Sequence, residues 1–136
     1  LLDAIADIPD LTFAIHLCRG DNAGLWMSGG GYAAISKHVF GRFMRYSTLL
    51  LEYDDPRSGN FEPLADIPHE KTVVLGLIST KNDQLESPEM LAHGFEQAAH
   101  RFPREQMGLS TLRLRLGSGG QTDSAGEPEG QTQIGR

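Results

Sequence analysis

Sulfur pairing is the first thing this chain lacks: its 136 residues include one cysteine, Cys18, so no internal disulfide can form. That suits a reducing compartment, and the expected location is cytoplasmic. Long hydrophobic runs are also missing, none approaching the ~20 residues of a membrane-spanning helix, so no membrane partner is expected. Positive charge is scarce, with 12 Lys and Arg against 18 Asp and Glu and a formal charge of -6. No basic stripe interleaved with aromatics offsets this locally, and no nucleic-acid partner is expected. The start carries neither a methionine nor a charged, apolar and small leader pattern, and Leu1 is read as the broken end of a longer protein.

What is present alternates between two kinds of segment. Residues 11–15 form a short apolar run that reads as a buried strand, followed by loop chemistry over 19–24. The glycines at 29–31 release a helix from Tyr32 to about Arg45, with Ile35, Val39, Phe40 and Phe43 at helical spacing. A second strand is expected over 46–52, a turn over 54–59, a short helix over 61–65 and a third strand over 71–78. Ser87, Pro88 and Glu89 then open a helix with a capping hydroxyl, a first-turn proline and an acid; Met90, Leu91, Phe95 and Ala98 share one side. It ends near Phe102 and Pro103, and 106–110 is a fourth strand.

Strand and helix therefore alternate, and the strands are apolar throughout, as expected for a parallel sheet covered on both faces. The fold class is α/β. Four strands with three helical connections make either a small open sheet or about half of an eight-stranded barrel, which takes roughly 250 residues. In both architectures chemistry collects at the carboxyl ends of the strands.

His16 and Cys18 stand two apart at the first such end and share a face. Glu52 closes the second strand, and Lys81 lies a few residues past the third. Each has a plainer reading on its own. A lone histidine near a strand end is more often a polar surface or core residue, and a lone cysteine a buried small hydrophobe. Glu52 would be the first solvated residue after Leu51, and Lys81, with Asn82 and Asp83, loop surface. His38, His69, His93 and His100 lack ligand spacing and are read as surface, and the three glycines do not follow a strand as a dinucleotide fingerprint would. Taken together, imidazole, thiolate and carboxylate at successive strand ends favour a zinc site.

These residues also carry a resemblance. Ile15-His-Leu-Cys-Arg-Gly-Asp-Asn22, Leu51-Glu-Tyr-Asp54 with Arg57-Ser-Gly59, Val73-Val-Leu-Gly-Leu-Ile-Ser-Thr-Lys81 and Leu85-Glu-Ser87, in that order, resemble the C-terminal catalytic barrel of cobalamin-independent methionine synthases. The chain is more closely similar to the short, methionine-synthase-II-like members, over about residues 1–111, with Asp21 where those relatives more often have Asn. The resemblance implies the C-terminal half of a (β/α)8 TIM-type barrel. It also implies zinc held by His16, Cys18 and Glu52, with a second cysteine from a Cys-Gly-Phe motif at the last strand. The implied reaction is methyl transfer from a methylated folate to a thiol, homocysteine in the parent family. Asp54 is a candidate acceptor behind His16, and no separate catalytic acid or base is assigned.

The fourth ligand is absent. Where the family continues Gln-Cys-Gly-Phe-Ala-Ser, this chain reads Leu112-Arg-Leu-Arg-Leu-Gly-Ser-Gly-Gly120 and then a tail rich in Gln, Thr, Ser and Gly. Permissible codons for that string, read one base later, encode Cys-Gly-Phe-Ala-Ser. Residues 112–136 are therefore read as a disordered, frameshifted tail, and the 136-residue chain is expected to bind zinc weakly and to be inactive. The competing readings are a non-catalytic barrel remnant or binding module and a metal-free relative like the uroporphyrinogen decarboxylases, which share the architecture.

Overall fold

The computed structural model describes residues 10–22, 25–43, 45–79 and 85–111. In chain order these contain β1 (Ala14–Leu17), β2 (Asp21–Asn22), β3 (Leu25–Trp26), β4 (Thr48–Glu52), β5 (Thr72–Ile78) and β6 (Met107–Thr111). Strands β1, β4, β5 and β6 form one sheet in that order, every neighbour parallel, while β2 and β3 make a small antiparallel pair. Loop chemistry over 19–24 was therefore too plain an expectation, because Asp21 pairs with Trp26 and Asn22 with Leu25. The first strand also starts later than its apolar run suggests. Leu11 stays exposed, and His16 lies inside the ladder opposite Leu50.

The parallel register aligns Ile15, Leu49, Val73 and Met107 in one row across the sheet, and Leu17, Leu51 and Leu75 in the next. Every one of these belongs to the core or packs against it, together with Phe40, Leu64, Ala98 and Phe102 from the connecting segments. Partners in a parallel ladder point to the same side, so the core lies on one face of the sheet. On the opposite face Ala14, His16, Leu50 and Val74 are exposed or half-buried, while Glu52 and Gly76 nearer its carboxyl end are buried. This corrects the expectation that both faces are covered: the helical segments among the described residues all serve one side. A consecutively ordered parallel sheet is common to a barrel segment and an open sheet.

The connections differ in quality. Helix α2 (Pro88–Ala99), which follows α1 (Ser36–Val39) in the chain, is regular, with Ser87 accepting a hydrogen bond from the Met90 N–H at 3.3 Å and Pro88 in the first turn. Gly94 lets it lie close to the sheet, since a Cβ there would stand 3.2 Å from Leu77 Cδ1. The continuous helix expected from Tyr32 to Arg45 does not form. It breaks into a 3₁₀ turn at Tyr32–Ala34, the single turn α1 and a second 3₁₀ turn at Phe40–Arg42. None of these has a capping side chain or an acid in its first turn, and Gly41 and the β-branched Ile35 and Val39 weaken helical propensity further. Burial holds the segment instead, through Tyr32, Ser36 and Phe40 at intervals of four. The short helix expected over 61–65 is a 3₁₀ segment, Glu62–Asp66, that buries Pro63 and Leu64.

Candidate functional site

The register that builds the core also assembles the carboxyl ends of β1 and β4. His16 pairs with Leu50 and Leu17 with Leu51, so one further step sets Cys18 beside Glu52. By alternation, His16 and Glu52 lie on the face opposite the core, and Cys18 directly follows β1. His16 is exposed, which its plainer reading as a surface residue allows, and Cys18 is exposed with a free thiol, so it is not the buried small hydrophobe of its plainer reading. Glu52 is 1 % exposed, which corrects its reading as the first solvated residue.

A carboxylate so deeply buried needs partners, and Arg19 supplies them. Glu52 Oε2 accepts from the Arg19 backbone N–H at 2.8 Å and from the guanidinium Nη1 at 2.8 Å. The same guanidinium donates from Nη2 to the Glu52 carbonyl oxygen at 3.0 Å and from Nε to the Gly30 carbonyl at 2.9 Å. Its central carbon lies 5.4 Å from the centre of the Tyr32 ring, within cation–π range. Gly31 keeps the neighbouring loop in place, since a Cβ there would fall 2.5 Å from the Ser58 carbonyl oxygen.

Tyr32 ties the two strand ends together. Its hydroxyl donates to the Leu17 carbonyl at 2.7 Å and accepts from the Glu52 N–H at 2.7 Å. Burial pushes the phenol well above its ordinary value, and the Glu52 backbone hydrogen bond and the Arg19 charge offset this only in part. A raised folded-state pKa means that the contribution is whole below the unfolded tyrosine value of about 10 and is lost as pH climbs through the folded one. Tyr32→Phe is expected to lower unfolding free energy by about 1–3 kcal/mol, because the buried Glu52 N–H and the part-buried Leu17 carbonyl lose their partner. Urea unfolding at neutral pH checks this, and an unchanged midpoint would mean that water replaces the hydroxyl.

An imidazole, a thiol and a carboxylate are donor types that zinc accepts. Among the described residues, however, no three His, Cys, Asp or Glu side chains stand close enough together to hold a metal. Glu52 faces Arg19 instead. Asp54, expected behind His16, accepts from Ser79 Oγ at 3.0 Å. Lys81 lies outside the described residues, as does the chain after Thr111, where the family's fourth ligand would fall. His38, His69, His93 and His100 are exposed, as expected.

The residues that sequence reasoning missed are Arg19 and Tyr32. Arg19 directly follows Cys18 at a strand end, which is a faint signal; Tyr32 gave none beyond its place after three glycines. A separate cavity of about 500 Å³ opens on the core side of the sheet, lined by Tyr53, Phe61, Leu77, Glu86, Met90 and Leu91 among others. None of its lining is His16, Cys18 or Glu52.

Comparison with known proteins agrees in direction. No protein-family model matches the chain. Two uncharacterized proteins of Bacillus subtilis (strain 168), YxjH and YxjG, are each 41 % identical to it over 110 residues, 79 % of this chain. The chain spans only about three-tenths of their length, 29 % in each case. A solved structure from Listeria monocytogenes, provisionally assigned as a vitamin-B12-independent methionine synthase, superposes with a TM-score of 0.55 at 25 % identity. That match covers 81 % of this chain and 30 % of the other.

Proposed function

We propose that the chain is part of a zinc-dependent methyltransferase that moves a methyl group from a methylated folate to a thiol, homocysteine being the family's acceptor. What supports this is the parallel register that brings the end of β1, which carries His16 and is followed directly by Cys18, beside the end of β4 at Glu52. The structural likeness to a protein provisionally assigned as a methionine synthase supports the same reading. Zinc bound there would lower the pKa of an acceptor thiol, so that a nucleophile exists at neutral pH without a separate base.

The chain's own residues supply position. His16 projects from β1, whose ladder to β4 holds it in register, Cys18 follows the strand directly, and Tyr32 fastens the strand's end to the backbone of Glu52. Glu52, sealed from solvent, presents its carboxylate in one orientation set by the Arg19 backbone N–H. With the fourth ligand and most of the relatives' length absent from this chain, the chain alone is expected to hold zinc weakly and not to turn over.

The test uses a frame-corrected version extended to the length of the relatives, with Cys18→Ser beside it. Zinc content near one per chain in the parent, lost by at least half in the variant together with zinc-dependent thiol alkylation, is the expected result. Unchanged zinc in Cys18→Ser would remove Cys18 from the ligand set.

A further inference from the structure

We propose that the cavity of about 500 Å³ on the core side of the sheet binds a small organic cation, an apolar body that carries a primary ammonium group. The cavity shares no lining residue with β1 or β4, so this site is independent of the methyl-transfer reading.

The lining divides by chemistry. Phe61, Leu77 and Leu91 give the walls an apolar surface, and Leu85 and Met90, 90 % and 64 % exposed, extend it to the rim. Large hydrophobic side chains left this open beside a cavity mark a place for an apolar partner, and the volume falls within the roughly 300–1,000 Å³ of small-molecule pockets. Charge in the lining is of one sign. Asp54, Asp55 and Glu86 are acidic, and no lysine or arginine stands among the described lining residues. Such a lining attracts a cation and repels carboxylates and phosphates. Asp55 is bound by Arg57, and Asp54 accepts from Ser79, so recognition of the charge falls to Glu86.

Two polar atoms of the lining are suited to an ammonium group. The hydroxyl of Tyr53, a residue 7 % exposed, and Oε2 of Glu86 are both buried and have no hydrogen-bond partner among the described residues. The other oxygen of Glu86, Oε1, accepts from the Ser79 N–H at 2.9 Å, which anchors the carboxylate. Burial raises the Tyr53 pKa, so the phenol keeps its proton and its oxygen offers lone pairs. A primary ammonium brings three N–H donors and a positive charge, and its bond to a carboxylate is of the stronger, charge-assisted kind. The Tyr53 ring, its centre 4.6 Å from that of Phe61, adds an aromatic surface that attracts cations. Reaching the two buried atoms requires the lining to yield slightly, which the exposed side chains of Leu85 and Met90 allow.

The probe is 2-phenylethylamine, titrated into the 136-residue chain by calorimetry, with the Met90 methyl resonance locating the bound molecule. Beside it stand 3-phenylpropanoate and 2-phenylethanol, which carry an anion and a neutral hydroxyl on a similar body. The amine is expected to bind about tenfold more tightly than either. Glu86→Gln, whose amide oxygen can still accept from the Ser79 N–H, should weaken the amine about tenfold and leave the alcohol unchanged. Tyr53→Phe should weaken the amine about threefold while its melting temperature holds or rises, because an unmet buried hydroxyl is removed. A purely structural hydroxyl predicts a lower melting temperature instead, which would take Tyr53 out of the site. Should the Phe variant not fold, Glu86→Gln decides. Equal affinity for amine and carboxylate, unchanged amine affinity in Glu86→Gln, binding that leaves the Met90 resonance unmoved, or no binding at millimolar amine overturns the proposal.

Discussion

Replacement of Glu52 by alanine is expected to lower the unfolding free energy by about 3–5 kcal/mol, the cost of breaking a buried ion pair by removing one partner. The Arg19 guanidinium, 10 % exposed, would be left without its carboxylate, and the Arg19 backbone N–H without its acceptor. Glu52→Gln should lose less, because an amide oxygen can still accept from the backbone N–H while the charge goes unanswered. The double variant Glu52→Ala with Arg19→Met is expected to recover part of the loss, since an apolar pair strands no charge. Urea unfolding followed by circular dichroism measures all four corners of the cycle. A loss below about 1 kcal/mol in Glu52→Ala, the range of an exposed pair, would show that water reaches the pair and that burial does not govern it.

Phe40→Ala is expected to be of similar size, about 3–5 kcal/mol, for a different reason. Phe40 is fully buried, and its ring centre lies 5.9 Å from that of Tyr32. It sits where α1 gives way to a 3₁₀ turn with no cap, so packing holds this segment more than helical propensity does. The cavity would open beside the tyrosine that fastens β1 to β4, and Phe40→Leu should cost less by filling most of it. Thermal unfolding compares the two variants. Equal losses in both would point to the aromatic contact with Tyr32 as the controlling feature, not volume.

The parts of the structure legible in the sequence are those that depend on local pattern. Apolar runs flanked by turn residues located β4, β5 and β6 closely, and Ser87 with Pro88 marked the start of α2. The segment from Tyr32 to Phe43 misled because apolar spacing of three and four is satisfied equally by a helix and by short turns that bury the same residues. At the site, the period of two predicts a common face for His16 and Cys18, and strand order brings the end of β1 beside Glu52. The burial of Glu52 was not legible. It depends on Arg19, which is 33 positions earlier, and an arginine in a loop after a strand reads as solvated. Tyr32 was hidden for the same reason, since its hydroxyl bridges two backbones that only the register brings together.

The order of the strands bears on how the chain comes together during synthesis. Each strand of the parallel sheet pairs with the one made just before it in that sheet, so pairing follows the direction in which a ribosome releases the chain. The ends of β1 and β4 can be joined through Leu17, Tyr32 and Glu52 before β5 has emerged. The pairing of β1 with β4 is thus laid down by residues 14–52, and β6 adds to an edge that β5 has already formed. A change of reading frame after Thr111 would arrive too late to disturb that first pair.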